Sequence, residues 1–343
     1  MARRALGGLL SLLVFAAIAT ALVASTVLPK LASRYYLLLP GEAIPVAPAV
    51  HVPADRRQQT GDLSYTVVYE RAADLPAALL AAVRPGVRVV PYEAVVPPNQ
   101  TPEQSTELNK RLMSESQSVA AVVALRKLGY DARVGGRGAR VVSVLPDKPA
   151  AGALRAGDVI VGVDGQSIGT VGDLQTAIRG RLPGEEIEVV FRRDGAEQSA
   201  RIGTVPAPDD PHRPLVGVTV ETDGFTAELP FPITIDAGPV LGPSAGLMFA
   251  LGVYDALTPG PLGGGAKVAG TGTLDPQGRV GAVDGVAQKV IGAEKAGAVL
   301  FFAPADNAAE ARRAASSIRV VPVATFDDAL DTLLATGGSG AGA

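Results

Sequence analysis

Ser244 and Lys289 have the types and surroundings that acyl-transfer chemistry requires. Ser244 lies in the turn Gly-Pro-Ser-Ala-Gly at 242–246, directly before the apolar run 247–251. A serine in the first turn of a helix meets free backbone N–H groups and the positive end of the helix dipole. That position suits a nucleophile whose reaction develops an oxyanion. A Gly-Pro-Ser turn fits a serine that merely caps a helix equally well, so this alternative stays open.

The general base for such a serine must come from a small set of residues. The two histidines, His51 and His212, lie in Pro-rich stretches that predict extended connectors, where an imidazole is held poorly. The sequence has no cysteine, which excludes thiol catalysis, disulfides and thiolate metal sites. His212 lies near Asp209 and Asp210, but no second cluster of metal ligands supports a metal site there. We therefore expect no metal, no cofactor, and a lysine or a carboxylate as the base.

Lys289 is the best candidate for that base. If its segment is a helix, Val286 and Ala293 lie on the same side as Lys289. A lysine on an apolar helix face is unusual, and desolvation favours the neutral amine, which can accept a proton from serine. Lys295 lies away from that face and has the pattern of a solvated charge. A lysine that extends along the apolar surface to reach water remains the alternative for Lys289.

Three separated motifs, in this order, closely resemble the proteolytic domain of the Lon peptidases. They are Gly-Pro-Ser-Ala-Gly, then Thr-Gly-Thr-Leu from Thr271, then Gly-Arg-Val-Gly-Ala-Val-Asp-Gly at 278–285 followed by Lys289. The resemblance implies that Ser244 is the nucleophile and Lys289 the general base. It also implies that the Thr271 hydroxyl hydrogen-bonds to this lysine.

Two further expectations accompany this resemblance. The backbone N–H groups of Gly242, Ser244 and Ala245 are expected to stabilise the oxyanion. Leu241 stands where many Lon enzymes have an acidic residue, which puts family-style regulation in doubt more than the chemistry. No Gly-x-x-x-x-Gly-Lys-[Ser/Thr] sequence occurs, so we expect an enzyme that does not unfold its substrates with ATP.

A second module, at 140–202, resembles bacterial PDZ domains. It follows their Pro-Ala-x-x-x-Leu-x-x-Gly-Asp-x-Ile pattern at 149–160. The resemblance implies a groove-lining helix over 171–179 and a closing hairpin of strands at 187–191 and 198–202, turning at Asp-Gly. Such domains bind extended peptides by adding a strand to a sheet edge.

The peptide-binding residues of this module are expected in the glycine-rich segment before its first strand. Gly136, Arg137 and Gly138 would offer converging N–H groups and a positive charge to a peptide carboxylate, with Val141 in the adjacent strand. The segment is not a close match to the family's Gly-Leu-Gly-Phe. A tight turn between helix and strand is therefore the alternative.

The N-terminus predicts where the protein works. Residues 5–28 carry no charge and are long enough to span a bilayer as a helix. Arg3 and Arg4 precede this run and favour a cytoplasmic N-terminus, with the PDZ and catalytic domains outside the cytoplasm. A cleaved signal peptide is the alternative, although the apolar run exceeds a usual signal core. Both alternatives place most of the chain outside the cytoplasm, and the retained helix also anchors it in the cell membrane.

The predicted fold class is α+β, with a transmembrane helix, a β-barrel-like PDZ domain and a Lon-type α/β domain of the ribosomal protein S5 domain 2-like kind. Within these domains we expect strands at 63–69, 231–236, 299–304 and 319–323, and helices at 74–83, from Thr101 to about Leu128, and at 326–334. The strand at 231–236 is expected to line the substrate channel, by resemblance to Lon.

The expected domains are a cytoplasmic stub and anchor (1–34), a membrane-proximal spacer (35–128), the PDZ domain (129–204), a linker (205–214), the Lon-type domain (215–335) and a flexible tail (336–343).

Composition and domain order complete the prediction. A net charge of -3 without a basic stripe argues against nucleic-acid binding. The order of segments resembles the membrane-anchored PDZ–Lon proteins of Gram-positive bacteria, which implies a tethered serine endopeptidase acting on polypeptides. The alternative is a catalytically idle PDZ/Lon-like scaffold or assembly factor. Lon-type domains often form rings, which suggests a homo-oligomer by analogy.

Overall fold

The structure is a computed structural model that describes residues 34–73, 81, 84, 86–97, 100–207 and 211–337. The predicted anchor at 5–28 and most of the predicted helix at 74–83 lie outside these residues. Across the described ranges, no helix combines the length and the apolar character needed to cross a membrane.

The described chain contains α-helices separated by one or more strands. The α-helices are α1 (Pro102–Lys127), α2 (Val171–Arg179), α3 (Gly246–Leu257), α4 (Val286–Lys295), α5 (Ala308–Ala314) and α6 (Phe326–Ala335). The strands are β1 (Tyr35–Pro45), β2 (Val50–His51), β3 (Leu63–Ala72), β4 (Arg88–Pro91), β5 (Arg133–Gly135), β6 (Ala139–Val144), β7 (Val159–Val163), β8 (Gln166–Ser167), β9 (Glu186–Arg193), β10 (Ala196–Gly203), β11 (Val205–Pro206), β12 (Pro214–Leu215), β13 (Val218–Thr222), β14 (Thr226–Glu228), β15 (Thr234–Ile235), β16 (Val268–Gly270), β17 (Thr273–Leu274), β18 (Val280–Gly281), β19 (Leu300–Pro304) and β20 (Arg319–Val323).

The chain divides into two compact units. Among the described residues, the first contains 34–40 and those between 68 and 95, and the second contains 41–67 and those from 96 onward. In the first unit, the start of β1 pairs antiparallel with β4, with Tyr35 opposite Pro91. All the predicted catalytic and peptide-binding residues belong to the second unit.

A mostly parallel sheet and a buried helix form the centre of the second unit. Strands β20, β19, β16 and β3 run parallel in that order, and the end of β1 follows β3. Helix α3 is apolar around nearly its whole circumference and is buried along almost its full length. The rings of Tyr65 and Phe249 meet edge to face with centroids 5.1 Å apart. A helix that is hydrophobic all round is stable inside a core, so α3 fixes the position of whatever precedes it.

Helix α1 packs directly on α3. Thr101 caps α1 and bonds reciprocally with Gln104, as the sequence predicts, and Gly129 follows its end with a φ of 84°. Met113 and Ala120 belong to the same apolar cluster as α3. Since β3 also pairs with β16, the segment 35–128 supplies core elements of the second unit. These contacts require a correction to its interpretation as a spacer.

Residues 139–222 form an antiparallel sheet with a separate apolar core. The strand order is β10-β9-β7-β6-β13, and α2 packs on this sheet. Asp194 and Gly195 both have positive φ, 52° and 83°, which gives the two-residue turn between β9 and β10. The predicted helix and hairpin are therefore confirmed. Strand β13 comes from beyond residue 204, where the sequence predicted this module to end.

The C-terminal end of α4 is anchored by Glu294. Its carboxylate accepts bonds from the backbone N–H groups of Ser316, Ser317 and Ile318, at 2.8, 2.6 and 2.9 Å, and from the Ser316 hydroxyl at 2.8 Å. Burial raises the pKa of this carboxyl, but the hydrogen bonds outweigh burial and lower the pKa to about 2. The carboxylate thus ties the helix that carries Lys289 to the loop before β20.

Replacing Glu294 with Gln should lower the melting temperature at pH 7 by several degrees. Because the folded pKa lies below the usual value of 4.5, this stabilisation is present above about pH 4.5 and is lost as the pH falls toward 2. The difference between wild type and variant should therefore shrink over that interval in thermal unfolding scans. Glu197→Gln, on an exposed stretch of β10, is the control and should change little at any pH. A pH-independent difference for Glu294→Gln would contradict this account.

Candidate active site

Ser244, Thr271 and Lys289 meet in one cluster in the second unit. The Lys289 Nζ lies 2.6 Å from the Ser244 Oγ and 3.0 Å from the Thr271 Oγ1. The Thr271 hydroxyl donates to the backbone carbonyl of Ser244 at 2.9 Å. With its proton used in this way, the Thr271 oxygen can accept an N–H from the lysine. The Lys289 amine thus lies within hydrogen-bond distance of both hydroxyl groups.

Three different elements position these side chains. Ser244 precedes α3, Thr271 follows β16, and Lys289 is the fourth residue of α4. The N-cap of α3 is Ala245, and no side chain caps the helix. The serine hydroxyl is thus bonded to Lys289 rather than used as a cap, and Ser244 stands just outside the first turn in which we expected it.

The lysine is held inside the protein. Lys289 is 3 % exposed, Thr271 is fully buried, and the flanking Val286 and Val290 are fully buried. Lys295, on the same helix, is exposed, as the sequence predicts. Ser244 itself is half-buried, so part of this residue faces solvent. A desolvated amine beside an accessible serine can serve as a general base.

The predicted oxyanion donors divide into two kinds. The Gly242 N–H donates to the backbone carbonyl of Asn109 at 3.2 Å, so it is not available to an oxyanion in this conformation. The prediction that Gly242 is an oxyanion donor therefore needs correction. The N–H groups of Ser244 and Ala245 make no hydrogen bond within the described ranges. Gly242 still serves the turn, because its φ of 85° is one that other residues rarely adopt.

The predicted peptide-binding loop has its N–H groups engaged. The Arg137 N–H donates to the Asp223 carbonyl at 2.7 Å, and the Gly138 N–H donates to the Gly169 carbonyl at 3.0 Å. The Arg137 side chain pairs with the Asp223 carboxylate at 3.2 Å. Neither N–H group is free for a peptide carboxylate, so the prediction for the loop at Gly136 needs correction. Its hydrogen bonds make it a tight turn.

Val141 is likewise committed to the fold. It is 1 % exposed, and its N–H and carbonyl bond to Asp158 and Gly157. Strand β6, which contains it, lies between β7 and β13. The edge strands of the sheet are instead β10 and β13, and the residues of β13 from Val218 to Glu221 are partly exposed. The alternating valines of 216–220 were the sequence signal for this strand.

Helix α2 lies beside β13 and also contacts the hairpin that follows Thr271. The Val171 N–H donates to the Thr222 hydroxyl at 3.2 Å, which fixes the start of α2 against the end of β13. A Cβ on Gly172 would come within 2.5 Å of the Pro276 ring. The Arg279 guanidinium donates to the Thr176 hydroxyl. The hairpin that follows Thr271 is therefore packed against the helix that lines the predicted groove.

A cavity of about 100 Å³ lies between α1, the start of α2 and the loop before Ser244. Glu115, Thr222 and Pro243 are among its lining residues. Burial raises the pKa of Glu115 to about 7, against the lowering effect of hydrogen bonds from Thr222. Glu221 raises the pKa further and Arg111 lowers it.

The strand predicted at 231–236 is shorter in the structure. Only Thr234–Ile235 pairs, with Val50–His51 of β2. Phe231 instead contacts the guanidinium of Arg56 at 4.4 Å. Among the residues that the structure describes, no group of three or more His, Cys, Asp or Glu side chains could hold a metal ion, and Asp209 and Asp210 fall outside them.

Two family matches agree with the two predicted modules. Residues 105–204 match the PDZ domain family, and residues 227–336 match the Lon protease (S16) C-terminal proteolytic domain. The chain thus carries a PDZ domain followed by a Lon-type proteolytic domain, which is the arrangement of the PDZ–Lon family. Ser244, Thr271 and Lys289 all lie within the second match.

Curated relatives resemble the chain in parts. Lon protease 2 of Bacillus subtilis is 32 % identical over 96 residues, which is 28 % of this chain and 17 % of that protein. Lon protease 1 of Sorangium cellulosum is 36 % identical over 29 % of this chain and 13 % of its own length. A probable periplasmic serine endoprotease DegP-like protein of Marinomonas is 37 % identical over 22 % of this chain and 16 % of its length. The chain spans less than a fifth of each relative. The matched stretches are thus parts of proteins named as proteases.

Proposed function

We propose that this chain is an ATP-independent serine endopeptidase that cleaves polypeptides with a Ser244–Lys289 dyad. One observation carries the proposal: a buried lysine amine lies 2.6 Å from the hydroxyl of a half-buried serine. A buried lysine is costly, and such a group beside a potential nucleophile is best explained by chemistry. The match to a Lon-type proteolytic domain supports the same reaction class.

The chemistry follows from the hydrogen bonds of the cluster. The neutral Lys289 amine accepts the Ser244 proton while the serine oxygen attacks the peptide carbonyl. Thr271 orients the lysine through its hydroxyl oxygen, 3.0 Å from Nζ. The free N–H groups of Ser244 and Ala245 stabilise the negative oxygen of the tetrahedral intermediate. The lysine then passes its proton to the leaving amine, and water hydrolyses the acyl-enzyme.

The PDZ domain would present the substrate chain. An extended peptide can add to the partly exposed edge of β13, beside α2, through backbone hydrogen bonds. The contacts from α2 to the hairpin after Thr271 keep this edge connected to the catalytic cluster. This route replaces the glycine-rich loop as the proposed peptide-binding element.

The uncharged run at 5–28 would tether the enzyme, with its PDZ and catalytic domains outside the cytoplasm. The similarity to proteins named as periplasmic endoproteases supports an extracytoplasmic location. Independence from ATP rests on the lack of a phosphate-binding loop in the sequence.

Cleavage of a fluorescently labelled, chemically unfolded polypeptide by the full chain tests this proposal. We expect peptide-bond hydrolysis without nucleotide, no increase on adding ATP, and inhibition by a peptide boronate that modifies Ser244. Polypeptide binding without cleavage and without boronate modification would reject the peptidase and favour a PDZ/Lon-like scaffold. Cleavage that requires ATP would reject the independence from nucleotide.

A further inference from the structure

Helix α1 contacts the loop that carries the nucleophile. Most of this helix lies within the PDZ-family match, and all of it lies outside the Lon-type match. The Ser116 hydroxyl donates to the Pro243 carbonyl at 3.1 Å. One side of the loop is therefore fastened to α1 immediately before Ser244. Ser116 is 5 % exposed, so this bond is protected from competition by water.

This bond determines the direction of a neighbouring N–H group. The Pro243 carbonyl and the Ser244 N–H belong to one peptide unit, and no described peptide bond is cis. In a planar trans unit the C=O and N–H point in opposite directions. Holding the Pro243 carbonyl toward α1 therefore directs the Ser244 N–H away from α1.

The next peptide unit is fixed from the opposite side. The Ser244 carbonyl accepts bonds from the Gly272 N–H at 2.8 Å and from the Thr271 hydroxyl at 2.9 Å. These bonds orient the Ala245 N–H in the same way. The directions of the Ser244 and Ala245 N–H groups are thus set by the hydrogen bonds that the carbonyls of the same peptide units accept.

The approach of α1 is close enough to restrict the loop. A Cβ on Gly246 would lie 2.8 Å from the Ser116 hydroxyl oxygen and 3.1 Å from the Leu274 nitrogen. Only a residue without a side chain fits between helix and loop here. The Pro243 carbonyl has one further donor, the Gly246 N–H, at the longer distance of 3.3 Å.

We propose that Ser116 is a positioning residue for the peptidase reaction: its hydroxyl holds the Pro243 carbonyl and so aims the Ser244 N–H at the developing oxyanion. This inference rests on the function proposed above. The Ser116 hydroxyl bonds to the Pro243 carbonyl and not to the Ser244 hydroxyl or the Lys289 amine, so it acts through the peptide unit that it orients. A misdirected oxyanion donor reduces the stabilisation of the transition state more than it reduces the binding of the substrate.

The test compares Ser116→Ala with wild type in the full chain, using peptide cleavage and a peptide boronate. We expect kcat to fall about ten-fold with KM changed by less than about two-fold, because the lost interaction belongs to the transition state. Affinity for the boronate, whose tetrahedral adduct places an oxygen at the same donors, should fall by a similar factor. Ser116→Thr, which keeps the hydroxyl, should recover most of kcat.

Ser118→Ala is the matched control, since Ser118 lies on the same helix and bonds to the Ser114 carbonyl. It should leave kcat and boronate affinity unchanged. Should Ser116→Ala not fold, Ser116→Cys keeps the side-chain volume with a weaker donor, and the same loss of kcat is expected.

Two results would overturn the inference for Ser116. One is an unchanged kcat in Ser116→Ala; the other is a loss of kcat that is matched by an equal rise in KM and not recovered by Ser116→Thr. An inactive, boronate-resistant wild type would instead overturn the proposed function, and this inference with it. An active wild type with an unaffected Ser116→Ala variant overturns the inference alone.

Discussion

Ser244→Ala should lower kcat/KM for peptide cleavage by a factor of about 10³ or more and abolish modification by serine-directed fluorophosphonates. The substitution removes the oxygen that lies 2.6 Å from the Lys289 amine, and with it the atom that forms the acyl-enzyme. Residual hydrolysis would depend on the oxyanion donors and substrate binding alone, which still accelerate the reaction about 10³-fold over water but fall far short of catalysis with a nucleophile. Initial rates with a fluorogenic peptide, together with intact-mass detection of the labelled protein, measure both effects.

The fold should survive this substitution. Alanine is smaller than serine, Ser244 is half-buried, and its hydroxyl is not used to cap α3. The melting temperature should therefore stay close to that of wild type, while Ser118→Ala controls for loss of a serine hydroxyl elsewhere. Cleavage at the wild-type rate by a folded Ser244→Ala variant would disprove the assignment of the nucleophile.

Local signals in the sequence were enough to predict several elements. Thr101 and Gln104 satisfy each other's backbone groups at the start of α1, which depends on neighbours three residues apart. The Asp194–Gly195 turn fixes its hairpin in the same local way. Lys289 was found because a charge on an apolar helix face requires an explanation, and motif order then connected it with Ser244 and Thr271.

Local sequence signals could not predict the contacts between segments that are distant in the sequence. The pairing of β3 with β16 and of β13 with β6 depends on which strands meet in the folded chain, and no local pattern specifies partners. The Gly242 N–H was misassigned for a related reason, because its acceptor lies on a helix far away in sequence. A glycine-rich segment likewise predicts convergent N–H groups, but the fold decides whether other carbonyls already occupy them.

Lys289→Met should reduce kcat by about 10³-fold and leave the fold intact. Methionine keeps an unbranched chain of similar length among buried apolar neighbours, and it cannot accept the serine proton. Thr271 still donates to the Ser244 carbonyl in this variant, so the loop keeps that support. Steady-state cleavage, fluorophosphonate labelling rates and thermal unfolding should be measured side by side.

The pH dependence of the residual activity separates a base from a structural lysine. Without Lys289, the serine can lose its proton only to water or hydroxide, so residual cleavage should rise in proportion to hydroxide concentration across the alkaline range. Lys295→Met, on the exposed side of the same helix, is the matched control and should keep both the rate and the pH profile of wild type. If Lys289→Met retained wild-type kcat, another group would have to accept the proton. If it lost activity together with a large drop in melting temperature, and Lys295→Met did not, the lysine would be supporting the site by packing rather than by proton transfer.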